Sequence, residues 1–209
     1  MIEAYLGFPG SGKTYTMTAR ALAQLERGHR VFSNYPIEGC ELFGADDLVD
    51  LPPGFIVMDE GHLWMSSRQF HKLPHEWFVK VSQTRKSGWH WLWSAQHPGR
   101  MDKAVRDVTQ VYHWCHAFPG GYLSDRKPMV MFDNVYPSTC KSAQEGDPHD
   151  RELQLARHVR RFQMSVASAY DTMAAIDGAA HLMRPTLVEA PAPPSELDPP
   201  KLRLRPKAS

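Results

Sequence analysis

The residues whose spacing most clearly implies chemistry form the octapeptide Gly7–Thr14, which matches the pattern G-x-x-x-x-G-K-[ST] at every position. An apolar strand precedes it and a helix follows, so its glycines can turn backbone N–H groups around a phosphate at a helix N-terminus. Lys13 would neutralise the β- and γ-phosphate oxygens, and the Thr14 hydroxyl is placed to ligate Mg²⁺. The pattern predicts a nucleotide·Mg²⁺ site formed by Pro9, Gly10, Ser11, Gly12, Lys13 and Thr14.

A second candidate group is the acidic pair Asp59-Glu60, which ends the apolar run Phe55–Met58. A continuous apolar run is typical of a strand covered on both faces, and open α/β sheets bind ligands at the carboxyl ends of such strands. There Asp59 would hold the Mg²⁺ shell, while Glu60 would polarise the water that attacks the γ-phosphate. The pair predicts a metal ligand next to a catalytic base.

The acidic pair favours hydrolysis over rival reactions. A small-molecule kinase has to exclude water and supplies arginines from a lid, and a guanine-nucleotide switch needs an Asn-Lys-x-Asp base reader, which the sequence lacks. ATP hydrolysis is therefore the predicted reaction. A small-molecule kinase remains the alternative enzyme, and a nucleotide-binding interaction module that hydrolyses little is the alternative of another class.

Two further polar residues are candidates for catalysis. Gln96 ends an apolar strand, where its amide can sense the γ-phosphate or orient the attacking water. In a ring of subunits Arg85 could reach a neighbour's γ-phosphate, with an ordinary surface residue as the alternative. The alternating Trp89, Trp91 and Trp93 share one face of this strand, which favours a buried ladder beneath a helix over a base-stacking platform.

The histidines and cysteines give a weaker signal. His113-Trp114-Cys115-His116 offers candidate metal ligands but has no second pair at zinc spacing, so a structural or surface role is favoured. The three cysteines, Cys40, Cys115 and Cys140, are widely spaced and odd in number. They suit a reducing compartment better than a disulfide framework.

Strands and helices alternate along the chain, as the elements around these motifs require. The predicted strands are Ile2–Leu6, Arg30–Tyr35, Phe55–Met58, Trp89–Gln96, Val111–His116 and Met129–Phe132. The predicted helices are Gly12–Arg27, His75–Thr84, Met101–Asp107 and His149–Met183. This alternation predicts an α/β fold with a mainly parallel central sheet flanked by helices.

Composition is that of a globular protein. Of the 209 residues, 42% are apolar and 22% are charged, which excludes a wholly disordered chain, a collagen and a coiled coil. No run approaches the about 20 apolar residues needed to span a bilayer, and the N-terminus has no secretory signal. We therefore expect a soluble, cytoplasmic protein with no transmembrane segment of its own.

Charge and proline divide the chain unevenly. Residues 65–106 carry eight Lys or Arg against two Asp or Glu, a net of +6 that could meet nucleic acid, although a solvated face is the alternative. Residues 184–209 hold seven of the 17 prolines and no aromatic residue. We expect an ATPase domain over residues 1–183, followed by a Pro-rich, disordered tail over residues 184–209.

An ordered series of segments resembles the ATPase domain of the zonular occludens toxin family, over roughly residues 1–175. That family includes the assembly ATPases of filamentous phages and is similar to the FtsK–HerA motors, among them genome-packaging ATPases of membrane-containing viruses. The segments are Gly7–Thr14, Val31–Ile37, Val57–Trp64, Gln83–Gly88, Ser94–Pro98, Met101–Arg106 and Tyr170–Thr172.

The resemblance implies a RecA-like (ASCE) P-loop NTPase core, hydrolysis of ATP·Mg²⁺, and a homo-oligomeric ring, expected to be a hexamer. It also implies movement of viral or plasmid DNA, or of a DNA–protein filament. By position in the family's motifs, Lys13 and Thr14 would bind phosphate and Mg²⁺, and Asp59 would bind the metal. Glu60 would activate the water, Gln96 would contact the γ-phosphate, and Arg85 would reach a neighbour's nucleotide.

One departure from the family bears on the biological role. Filamentous-phage assembly ATPases usually continue into a transmembrane helix and a periplasmic region, whereas this chain ends in a Pro-rich tail. The difference favours a soluble genome-packaging motor of the host cytoplasm that acts with a capsid or membrane partner. Attachment to a virion or to a membrane surface is the alternative location, and an extrusion ATPase that uses a partner's membrane span is the alternative role.

Overall fold

The computed structural model describes residues 1–66, 75–84, 86, 88–118 and 130–171. Arg85, the end of the helix predicted to reach Met183, and the predicted tail over residues 184–209 lie outside the described residues. The division into a domain and a tail therefore stays a prediction.

Within the described residues, eight strands form one sheet in the order β3-β2-β4-β5-β1-β6-β7-β8. In this spatial order, all neighbouring strands from β3 through β2, β4, β5 and β1 to β6 pair in parallel. The strands β7 and β8 then extend the sheet with antiparallel pairs. The mainly parallel sheet expected from the sequence is confirmed. The strands are β1 Ile2–Leu6, β2 Val31–Ser33, β3 Glu41–Leu42, β4 Gly54–Met58, β5 Trp89–Ala95, β6 Val111–Phe118, β7 Val130–Pro137 and β8 Ala156–Arg161.

Helices cover both faces of this sheet. They are α1 Lys13–Leu25, α2 His75–Ser82, α3 Lys103–Val108, α4 Lys141–Glu145 and α5 Met164–Ser168, with 3₁₀ turns at Ala45–Val49, Gly61–Leu63 and Pro98–Arg100. Among the described helices, none combines the length and the apolar character that crossing a bilayer demands.

The helix predicted from His149 is wrong over the described residues. The chain instead forms β8 and, after it, the short helix α5. The β8 sequence is mostly basic and shows no clean apolar alternation, since β8 is an edge strand with most of its side chains exposed. It is a strand because β7 offers it a hydrogen-bonding edge, and this pairing is a tertiary contact.

Each face of the sheet has its own apolar core. On one face, α1 packs Met17 and Ala21 against Tyr5 and Leu92. On the other face α2 and α3 cover the tryptophans of β5, which are buried at 4%, 2% and 0% exposure for Trp89, Trp91 and Trp93. The ring of Trp77 on α2 meets that of Trp91 edge-on, with centroids 5.9 Å apart. The predicted buried ladder is therefore confirmed, and these rings offer no platform for nucleic-acid bases.

Candidate functional site

The loop between β1 and α1 requires glycine at two positions where atoms of neighbouring strands lie close to its backbone. Gly7 and Gly12 have φ of 140° and 85°, a backbone region that side chains disfavour. A Cβ on Gly7 would lie 2.7 Å from the carbonyl oxygen of Cys115, and a Cβ on Gly12 would lie 2.7 Å from Cγ of Met131. The predicted octapeptide thus forms a tight strand-to-helix loop pressed against β6 and β7.

The polar side chains of the loop suit a phosphate. The Lys13 ammonium is buried and donates to the carbonyl oxygens of Gly7, at 2.9 Å, and Phe8, at 3.2 Å. The Ser11 hydroxyl is buried and has no hydrogen-bond partner among the described residues. Buried polar atoms without partners are rare in proteins, so this hydroxyl is one atom that a bound phosphate would satisfy.

Thr14, in the first turn of α1, meets Asp59 at the end of β4. The Thr14 hydroxyl donates to Oδ2 of Asp59 at 2.6 Å, and Asp59 is only 7% exposed. Hydroxyl and carboxylate oxygens are the ligands that Mg²⁺ takes from a protein beside phosphate. The residues therefore fit the metal that the sequence predicts, and Thr14 and Asp59 would be its protein ligands.

Two residues that the sequence motifs left without a role hold Asp59 in place. Asn34 follows β2, accepts from the Asp59 backbone N–H at 2.8 Å and donates to the Asp59 carbonyl at 2.9 Å. The hydroxyl of Ser94, in β5, donates to Oδ1 of Asp59. The sequence signal that could have indicated these roles is the same for both residues: each is a polar residue at or near the end of an apolar strand.

Glu60 has a special backbone conformation. Its φ of 48° is positive, and no other non-glycine residue in the described ranges shares this property. Its backbone N–H donates to the Ser94 hydroxyl at 2.9 Å and to Oδ1 of Asp59 at 3.1 Å, which holds the turn. Strained backbone of this kind concentrates at functional sites.

The surroundings of Glu60 make its carboxyl group less acidic than that of an ordinary glutamate. Burial, followed by the neighbouring Asp59 carboxylate, raises the pKa of Glu60, while the cations Lys13 and Arg100 oppose that rise. Nδ1 of His62 lies 3.3 Å from Oε2 of Glu60. Burial and the same cations lower the pKa of His62, so the imidazole beside Glu60 is neutral at pH 7.

Gln96 lies at the same edge of the sheet. It follows Ala95, which pairs with Leu6, so Gln96 stands beside the start of the loop and is half-buried. Its role towards a γ-phosphate stays a prediction, and so does the role of Arg85, which is outside the described residues. Arg100, in the turn after β5, is a cation near Glu60 that no sequence motif indicated.

Comparisons with known proteins agree with this geometry at the level of fold. No family model and no curated protein matches the sequence. The structure is similar to the N-terminal domain of zonular occludens toxin from Neisseria meningitidis, with a TM-score of 0.53 and 15% identity over 81% of this chain and 98% of that one.

A second similarity is to the genome packaging NTPase B204 of Sulfolobus turreted icosahedral virus 2 in complex with ATP-gammaS. The TM-score is 0.49 and the identity 10%, over 78% of this chain and 98% of that one. That score is too low to establish a shared fold by itself. The first similarity, together with the sheet order and the loop, confirms the expected class: this is an α/β protein of the RecA-like P-loop NTPase fold.

The contact between Gly12 and Met131 gives a prediction on stability. Gly12→Ala should lower the free energy of unfolding by about 2–4 kcal/mol, because positive φ and a clash both oppose a methyl group there. The matched control is Gly28→Ala, since Gly28 has a φ of +78° but nothing within 4 Å of a new Cβ. It should lose only the conformational part, about 1–2 kcal/mol.

Urea unfolding of the two variants measures the difference. In a double-mutant cycle, Met131→Ala should relieve part of the Gly12→Ala penalty and none of the Gly28→Ala penalty. Equal losses for the two glycine variants would contradict the packing of the loop against β7.

Proposed function

We propose that this protein hydrolyses ATP with Mg²⁺ and uses the energy to move DNA during phage or viral assembly, as a genome-packaging type of motor. The observation that carries the proposed chemistry is the 2.6 Å contact between Thr14 and Asp59, with Glu60 as the next residue. It supports a metal-binding role for this pair, which lies between the glycine-rich loop and a carboxylate able to accept a proton.

In this proposal the loop and the first turn of α1 bind the nucleotide. The backbone N–H groups of residues 10–14 and the Lys13 ammonium would hold the β- and γ-phosphates, and Lys13 would exchange its carbonyl partners for phosphate oxygens. Thr14 and Asp59 would hold Mg²⁺, which when bound neutralises charge on the phosphate oxygens. Burial of Lys13 and Asp59 strengthens these contacts because water screens them little.

Water activation falls to Glu60. Its carboxylate would accept a proton from the attacking water, and the raised pKa makes it a better proton acceptor than an ordinary glutamate. The backbone bonds to Ser94 and Asp59 hold its turn. Gln96, at the same sheet edge, would contact the γ-phosphate or orient the water.

The motor role rests on the ordered series of motifs and on the basic segment over residues 65–106. We propose that six subunits form a ring in which Arg85 reaches the nucleotide of a neighbour. The substrate would be viral or plasmid DNA or a DNA–protein filament, in the host cytoplasm, with a capsid or membrane partner.

Replacement of the proposed base tests the chemistry. Glu60→Gln should lower kcat by about a hundredfold or more while leaving the affinity for ATP nearly unchanged, because the amide cannot accept the proton. The control Glu26→Gln changes an exposed glutamate at the end of α1 and should leave both unchanged. Phosphate release and calorimetric binding of a non-hydrolysable ATP analogue measure the two quantities. Turnover in Glu60→Gln equal to that of the wild type would favour a module that binds nucleotide without hydrolysing it.

The pH dependence of turnover tests the environment of Glu60. Activity should rise with pH as the carboxyl group ionises, and the raised pKa of Glu60 places this rise above the range of an ordinary glutamate. Arg100→Ala removes a cation that lowers the pKa of Glu60, so the rise should move to still higher pH. The exposed Arg27 gives the control Arg27→Ala, which should leave the profile unchanged. A profile that Arg100→Ala does not move would show that another group limits the rate.

A DNA-dependent assay tests the motor. Double-stranded DNA should stimulate ATP turnover severalfold, and nucleotide should promote rings visible by light scattering and electron microscopy. Lys13→Ala should abolish the turnover with and without DNA, since its ammonium is the buried cation of the loop. A protein that hydrolyses ATP but stays monomeric and indifferent to DNA at every concentration would refute the motor role and leave the ATPase intact.

A further inference from the structure

Three side chains of the types that bind metals converge on the antiparallel part of the sheet, outside the loop Gly7–Thr14 and the acidic pair. They are His113 on β6, Asp133 on β7 and His158 on β8, and one ligand atom from each lies within 4.8 Å of the other two. Asp133 pairs directly with His158 across the β7–β8 ladder, so the two side chains share a face. His113 is the diagonal neighbour of Asp133, since Asp133 pairs with Cys115, two residues further along β6.

The two imidazoles approach the same carboxylate oxygen. Nδ1 of His113 lies 2.8 Å and Nδ1 of His158 lies 3.0 Å from Oδ2 of Asp133. Zinc binds imidazole nitrogen and carboxylate oxygen at about 2.0–2.2 Å in tetrahedral geometry, so its ligand atoms stand about 3.4 Å apart. Small side-chain rotations would therefore bring all three atoms onto one ion.

The other nitrogen of His113 has the partner that metal-binding histidines usually have. Nε2 lies 2.8 Å from Oε2 of Glu3, a carboxylate only 2% exposed. Glu3 is itself held by both terminal nitrogens of Arg20 and by His90, whose Nε2 is 2.6 Å away. A carboxylate behind a histidine orients the ring and raises its basicity towards a metal.

An ion can reach this cluster from solvent. A cavity of about 350 Å³ borders it, lined among others by Glu3, Arg20, His113, His158 and Arg160. The side chain of His158 is 49% exposed, whereas those of His113 and Asp133 are buried. Three protein ligands leave a coordination position for water or an anion.

We propose that His113, Asp133 and His158 bind one divalent transition metal ion, with zinc as the probe. The choice follows from the ligands, because imidazole nitrogen favours zinc and its neighbours in the first transition series over Mg²⁺ or Ca²⁺. The site shares no residue with the proposed nucleotide site, since none of its three ligands lies in Gly7–Thr14 or in the acidic pair Asp59-Glu60.

The metal would fasten the edge of the sheet that supports α1. Next to the site, β8 and the residues after it contact α1, where the Tyr15 hydroxyl lies 3.3 Å from the Arg161 carbonyl and accepts from the Gln163 N–H at 2.8 Å. An ion that joins β6, β7 and β8 therefore stabilises the structure on which the nucleotide loop rests.

Zinc titration of the full chain, freed of any histidine tag and of nucleotide, tests the proposal. Calorimetry should show one saturable site, and zinc should raise the thermal unfolding temperature. His158→Ala should weaken zinc at least about tenfold, and because His158 is exposed on an edge strand this variant should remain folded. The control His149→Ala removes an exposed histidine that also lies near an aspartate, Asp147 at 3.8 Å, and should change nothing.

Two further variants make the result decisive. Asp59→Asn removes the carboxylate of the nucleotide site and should leave the zinc affinity unchanged. Asp133→Asn keeps the side-chain volume and should weaken zinc, with circular dichroism to verify its fold. No saturable zinc binding at micromolar concentration, or equal affinity in the wild type and His158→Ala, would overturn the site and show that the cluster is a hydrogen-bonded network only.

Discussion

The hydrogen bond from Thr14 to Asp59 joins two strands that are not neighbours in the sheet. Thr14 follows β1 and Asp59 follows β4, and β5 lies between these strands. Two strand spacings separate β1 from β4, about 10 Å, so no backbone hydrogen bond can link their ends. The loop and the first turn of α1 cross above β5 and close the gap. The site therefore exists only when the order of the three strands is correct.

A carboxylate as buried as that of Asp59 has to be paired, since an isolated buried charge is costly. Oδ2 accepts from Thr14, and Oδ1 accepts from Ser94 and from the Glu60 backbone. Asn34 binds the Asp59 backbone from β2. Elements from four strands thus orient one side chain before any ligand arrives. The same bonds hold Glu60 in its unusual conformation, so the proposed metal ligand and the proposed base are positioned together.

The antiparallel strands β7 and β8 support this site from the other side. Met131 on β7 fills the space beside Gly12, and Arg161 and Gln163 contact Tyr15 of α1. The charged cluster of Glu3, His113, Asp133 and Arg20 lies between α1 and these strands. Within this cluster Arg20 on α1 pairs with Glu3 on β1, which links the helix to the sheet. The added strands therefore define the position of α1 and, through it, of the loop.

The sequence by itself determined the glycine-rich strand-to-helix loop, the acidic pair after a buried strand, the buried tryptophan ladder and the mainly parallel sheet. These features are local: each depends on residue types at short spacing, such as the glycines before Lys13 or the alternation of Trp89, Trp91 and Trp93. Tertiary structure alone decided that Asn34, Ser94 and Arg100 belong to the site, because strand order brings them to Asp59 and Glu60. It also decided that residues 156–161 form β8, since an exposed basic strand takes its conformation from the edge it pairs with. His113, Asp133 and His158 are up to 45 residues apart in the sequence. They meet only because β6 pairs with β7 and β7 with β8, and no spacing in the sequence indicates these pairings.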